Sequence, residues 1–152
     1  MSFRFSLQRI LNLREQETID AELRVEYAKR VIAELKNMIH KERDLYFSDR
    51  DELNLCVQKA QIHKVTIYER SLNIRQGRIM ELLDNLRSCQ SDLEVYQQTL
   101  IQARRNQKII EKLKEIKEKE FRRKESYKEQ SVLDEVGNQK YLRTQFQEKG
   151  EE

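Results

Sequence analysis

An all-α fold is predicted for this chain: an antiparallel two-helix coiled-coil hairpin whose second helix is longer than the first. Three observations predict it. Apolar residues recur at three- and four-residue spacing through most of the 152 residues, proline is absent, and the repeat changes phase once. A heptad repeat held this long buries one narrow seam of each helix against another helix and leaves the rest of the surface wet. Composition agrees. Charged residues make up 38%, glycine numbers 3 and tryptophan 0, the signature of a long helix or coiled coil rather than of a thick-cored globule. A chain this polar could also stay disordered, but disorder gives no reason to keep leucines in phase.

The first helix is placed at about residues 6–50. Stepping by four and three from Leu7 meets Leu11, Arg14, Thr18, Ala21, Val25, Ala28, Ile32, Leu35, Ile39, Glu42 and Tyr46, and only Arg14, Thr18 and Glu42 are not apolar. Ser6 is positioned to cap the first turn, with Phe5 before it and Ile10 after it as a hydrophobic staple. Ile10, Val31, Met38 and Leu45 widen the apolar face beyond a strict two-position stripe.

Between Phe47 and Lys64 the spacing fails to follow either register, and Ser48, Asp49, Arg50 and Asp51 form a polar cluster. A reversal within 48–62 would lay two helices antiparallel on one seam; a stutter in one continuous helix would instead force a parallel dimer. The hairpin is the expectation, and the whole of 1–152 is read as a single coiled-coil domain. From Val65 the stripe resumes as Tyr68, Leu72, Arg75, Ile79, Leu82, Leu86, Cys89, Leu93, Tyr96, Leu100, Ala103, Gln107 and Ile110, broken only by Arg75 and Gln107. The second helix is placed at about 60–136, stopping at Gly137. Residues 138–152 are expected to form a disordered tail. Past Leu113 the second helix outruns the first and has no obvious seam.

Charge is uneven along the chain. Residues 104–128 carry eleven Lys and Arg against five Asp and Glu, while 129–152 carry three against six. A basic helical stretch can meet nucleic acid, an anionic membrane or an acidic protein surface, or can be a solvated face laced with its own acids. The three glycines never cluster and no phosphate-cradling loop is possible. With two histidines, both read as solvated, no catalytic constellation can be assembled, and a thin helical pair lacks the concavity of a small-molecule pocket. The chain is therefore read as a non-enzyme without cofactor, metal site or small-molecule ligand. Cys56 and Cys89 are read as small seam or loop residues in a reducing cytoplasm, and no apolar run reaches the roughly 20 residues a membrane span needs. The basic N-terminus, with Arg4, Arg9 and Arg14, is read as the start of the first helix and not as a transit peptide.

Four ordered segments resemble the FliJ family of flagellar export proteins. They are Phe3-Arg4-Phe5-Ser6-Leu7 through Glu15, Tyr68 with Leu72, Ala103-Arg104-Arg105 through Leu113-Lys114-Glu115, and Leu133-Asp134-Glu135. The resemblance implies a coiled coil similar to the shaft subunit of rotary ATPases, acting in the cytoplasm at the inner face of the membrane at the flagellar base. It implies insertion into the hexameric flagellar export ATPase, promotion of ring assembly and ATP turnover, contact with the export-gate membrane protein, and recycling of substrate chaperones. The tip expected to enter the ring comprises Phe3, Phe5, Leu7, Arg104, Arg105, Arg122 and Arg123, the arginines meeting acids there. The family analogy places gate contact at Tyr68, Leu72, Arg75 and Ile79, although Arg75 departs from the apolar or small pattern; filling the hairpin seam is an equal alternative for these four. Two other functions stay open on the residues alone: a generic cytoplasmic coiled-coil tether, and a basic helix gripping anionic membrane or, less expected, nucleic acid.

Overall fold

The computed structural model describes residues 2–148, with side chains described through residue 143. Two helices run along the chain, α1 (Gln8–Gln58) of 51 residues and α2 (Ile62–Glu148) of 87. They pack against each other in antiparallel fashion, and no strand occurs among the described residues. The fold class is the one the spacing predicts. Contacts divide the chain into two compact units: a first unit of Met1–Glu15 with Arg105–Glu152, and a second of Gln16–Arg104.

In the second unit the seam is carried by α1. Ala21, Val25, Ala28, Ile32 and Ile39 are buried. On α2 the seam positions Leu86, Leu93 and Leu100 are half-buried. Two helices cannot enclose a side chain on all sides. Accordingly no large side chain is fully buried among the described residues. Stability is therefore spread thinly over many layers, each burying part of a side chain and contributing on the order of 1 kcal/mol.

The seam does not break after Tyr46. Seven-residue steps from Glu42 reach Asp49, which is half-buried, and then Cys56, which is 5% exposed. The same step from Tyr46 reaches half-buried Leu53. The loss of pattern in the sequence is thus a run of two polar seam positions, Glu42 and Asp49, and not a loop. α1 extends eight residues beyond Arg50 for this reason.

The reversal occupies Lys59–Gln61. Gln61 N–H donates to the carbonyl of Cys56 (2.9 Å) and Ala60 N–H to that of Val57 (3.1 Å), the paired bonds of a Schellman C-cap. Ala60 sits in the left-handed region at φ 54°, a place usually filled by glycine. Gln61 then starts α2, its carbonyl accepting from Lys64 and Val65 N–H (3.0 and 3.2 Å).

Two end predictions are corrected. α1 starts after a turn in which Gln8 N–H donates to the Phe5 carbonyl (3.2 Å), so the helix begins beyond Ser6. Phe5 stacks on Phe3 at 6.5 Å between ring centroids, and Ile10 is 40% exposed. At the other end α2 passes through Gly137 and carries on to Glu148. A lone glycine costs a helix only about 1 kcal/mol relative to alanine, too little to end one that good helix formers continue; residues 149–152 lie outside the described residues.

Candidate protein-binding site

In the first unit, the chain start lies against the later part of α2. The rings of Phe3 and Phe121 lie 5.7 Å apart in a tilted arrangement. Lys114 Nζ donates to Gln8 Oε1 at 3.0 Å. Lys114 and Phe121 are the seven-residue continuation of the series through Leu100 and Gln107, so the seam extends past Leu113. The stretch from Leu113 therefore has an internal partner at least to Phe121. Beyond Glu125 every described side chain is exposed, including Tyr127, Val132 and Leu133 at 72, 58 and 70%.

This geometry sorts the predicted tip residues. Phe3, Phe5 and Leu7 are half-buried, and the first two join Phe121 in an aromatic cluster beside the adjacent Arg122 and Arg123. Arg122 is tethered within α2 by Glu118 (2.6 Å), whereas Arg123 is exposed. Arg105 is exposed but stands 17 residues before Arg122, roughly 25 Å along the helix axis. Arg104 belongs to the second unit and donates to Glu22 at 2.8 Å across the hairpin. The seven residues thus do not form one cluster. The one the sequence reading omitted is Phe121; its signal was the seven-residue step from Lys114, obscured by the lysines and glutamates between.

The four residues expected at the gate, Tyr68, Leu72, Arg75 and Ile79, are all half-buried at seam positions of the second unit. Arg75 answers the two breaks in the α1 stripe. Its Nε donates to Asp49 Oδ2 at 2.6 Å and its Nη1 to Glu42 Oε2 at 3.2 Å. Ser71 Oγ donates to the same Asp49 oxygen at 2.7 Å, and Arg78 lies 3.6 Å from the other Glu42 oxygen. Asp49 and Arg75 keep only 18 and 21% of their side-chain surface. The Ser71 hydroxyl, and then Arg75, hold the Asp49 carboxyl below its ordinary value. Asp49 in turn raises the Arg75 guanidinium. Such a polar layer in an otherwise apolar seam specifies register at some cost in stability.

Among the described residues no group of His, Cys, Asp and Glu is placed to hold a metal ion, and no helix is long and apolar enough to cross a membrane.

A family model described as Flagellar FliJ protein matches residues 3–146, nearly the full length. The chain belongs to the FliJ family. As a FliJ-family protein it is a component of flagellar protein export. No curated protein and no solved structure matches it significantly.

Proposed function

We propose that this FliJ-family chain is a non-enzymatic cytoplasmic shaft for the hexameric flagellar export ATPase, entering the ring with the end that carries Phe3, Phe5 and Phe121. The observation that carries this reading is the juxtaposition in one unit of an aromatic cluster with Arg122 and Arg123. Aromatic and arginine side chains are the residue types that anchor protein interfaces. Leu7 supports the cluster from the seam, while exposed Arg105 offers a further cation to acids of the ring; Arg104, engaged by Glu22, would meet such acids only by exchanging that partner. Promotion of ring assembly and ATP turnover follows if the shaft touches several subunits at once.

Contact with the export-gate membrane protein is assigned to the early part of α2, where Tyr68, Leu72 and Ile79 keep part of their surface outside the seam. Arg75, engaged by Asp49 and Glu42, is given the role of holding that stretch in register. Recycling of substrate chaperones belongs to the same proposal. The test is stimulation of the purified export ATPase by the chain. Arg122→Glu/Arg123→Glu and Phe121→Ala are expected each to cut stimulation severalfold with helix content unchanged by circular dichroism. Full stimulation by both variants would remove the ring-end assignment.

A further inference from the structure

One face of α2 in the first unit is unexplained by the hairpin. Arg105, Ile109, Lys112, Ile116, Lys119 and Arg123 follow one another at steps of four and three, as the seam does, but point away from it. All six are exposed, Ile109 and Ile116 at 64 and 53%. Arg105, Lys112 and Lys119 form one heptad column and Ile109, Ile116 and Arg123 the next. No acid interrupts the stripe. Among the described residues, no ion pair or hydrogen bond engages its four cations, although Arg104, Lys117 and Arg122 nearby are all paired. The same register earlier in α2 reads Gly77, Glu81, Asp84 and Ser88, so the pattern is not a general property of the helix exterior.

We propose that this stripe docks an acidic amphipathic helix supplied by a partner protein. A helix with acids and apolar residues alternating at three and four would meet the cation column with its acids and the isoleucines with its apolar positions. The stripe spans 19 residues, a rise of roughly 27 Å, enough for about five turns of a partner. Heptad spacing of both columns is the condition for helix-on-helix packing. The competing surfaces fit less well. Isoleucines about 10 Å apart in a single file do not make the broad apolar face by which a helix lies in a bilayer. Nor do isoleucines between the cations help a helix to follow phosphates, where affinity rests on charge.

This inference goes beyond the shaft reading, and its test uses no ATPase. The full chain is titrated with a synthetic helix of about three heptads bearing Glu and Leu at three-four spacing. Comparison titrations use a scramble of the same composition, vesicles of phosphatidylserine and phosphatidylcholine, and duplex DNA, with binding read by fluorescence anisotropy or by co-flotation. The ordered peptide is expected to bind about tenfold or more tighter than the scramble, with binding weakened by salt. Ile109→Ser/Ile116→Ser is expected to abolish that preference, and Lys112→Glu/Lys119→Glu to abolish binding. A peptide with Gln in place of Glu serves as the charge control without altering the protein. Equal binding of ordered and scrambled peptides, binding of vesicles or DNA in preference to the ordered peptide, or wild-type binding by both variants would overturn the proposal. Arg123 is left intact, so failure here and failure of the ring-end assignment are separate results.

Discussion

The two units use the same helical register for different ends. In the second, Ala21, Val25, Ala28, Ile32 and Ile39 fill the seam and are buried. In the first, Leu11 of α1 is buried but the facing stretch of α2 sets Gln107, Lys114 and Phe121 at its seam, half-buried and mostly polar, and the α2 exterior carries cations without ion partners among the described residues. A heptad pattern thus reports where helices meet but not what a stretch is for. Apolar small-residue layers hold the hairpin closed, whereas interrupted layers coincide with a charged exterior, the part proposed above for recognition.

The largest expected effect breaks the comparison at its strongest point. Ile32→Ala should destabilise the hairpin by about 2 kcal/mol, at the low end for buried isoleucine because the seam is open on two sides. Leu133→Ala in the first unit, at 70% exposure, should fall within about 0.5 kcal/mol of wild type. Urea titration followed by circular dichroism measures both, and equal losses would erase the distinction between the units.

The polar layer comes next. Arg75→Leu leaves Asp49 and Glu42 facing each other without their shared cation, and should cost about 1 to 2 kcal/mol, below the value for a fully buried pair because the layer keeps some solvent. Adding Asp49→Leu should recover part of that loss. The same layer predicts an acid limb. The Asp49 carboxyl is held below its ordinary 3.8. Its contribution is therefore fully present above that value and is lost as pH falls through the lower folded-state value. A urea midpoint that falls below pH 4 in wild type, and falls less in Asp49→Asn, would confirm the sign.

The smallest effect concerns the turn. Ala60→Gly should stabilise by about 0.5 to 1 kcal/mol, because glycine adopts the left-handed conformation without a Cβ penalty. A loss of stability on this change would mean that the reversal is not strained at φ 54°.

Legibility in the sequence followed the same physics. The two helices, their antiparallel seam and the unequal lengths were readable because leucines, valines and alanines repeat in phase. The turn was placed only to within 48–62 because its left-handed position holds Ala60, which carries no turn signal, and because Glu42 and Asp49 looked like a broken pattern. The arginine that looked like an anomaly on one helix was the counterpart of the acids that looked like anomalies on the other. Pairing breaks across a seam, rather than treating each as noise, would have found the layer. The aromatic contact of Phe121 with Phe3 was hidden for a different reason: a single ring among lysines and glutamates does not change a stripe that has already lost its leucines.

The turn at Ala60 has a consequence for the order of assembly. The contact between Asp49 and Ser71 closes a separation of 22 residues, while that between Gln8 and Lys114 closes 106. Entropy opposes the longer closure by about 1.4 kcal/mol more when each is formed alone. Zipping therefore favours growth outward from the reversal, so the contacts of Phe3 and Gln8 with α2 form last and part first. The end proposed for recognition is thereby the end most easily opened, and on that proposal a partner that clasped it would gain part of its hold by completing what the chain itself closes least firmly.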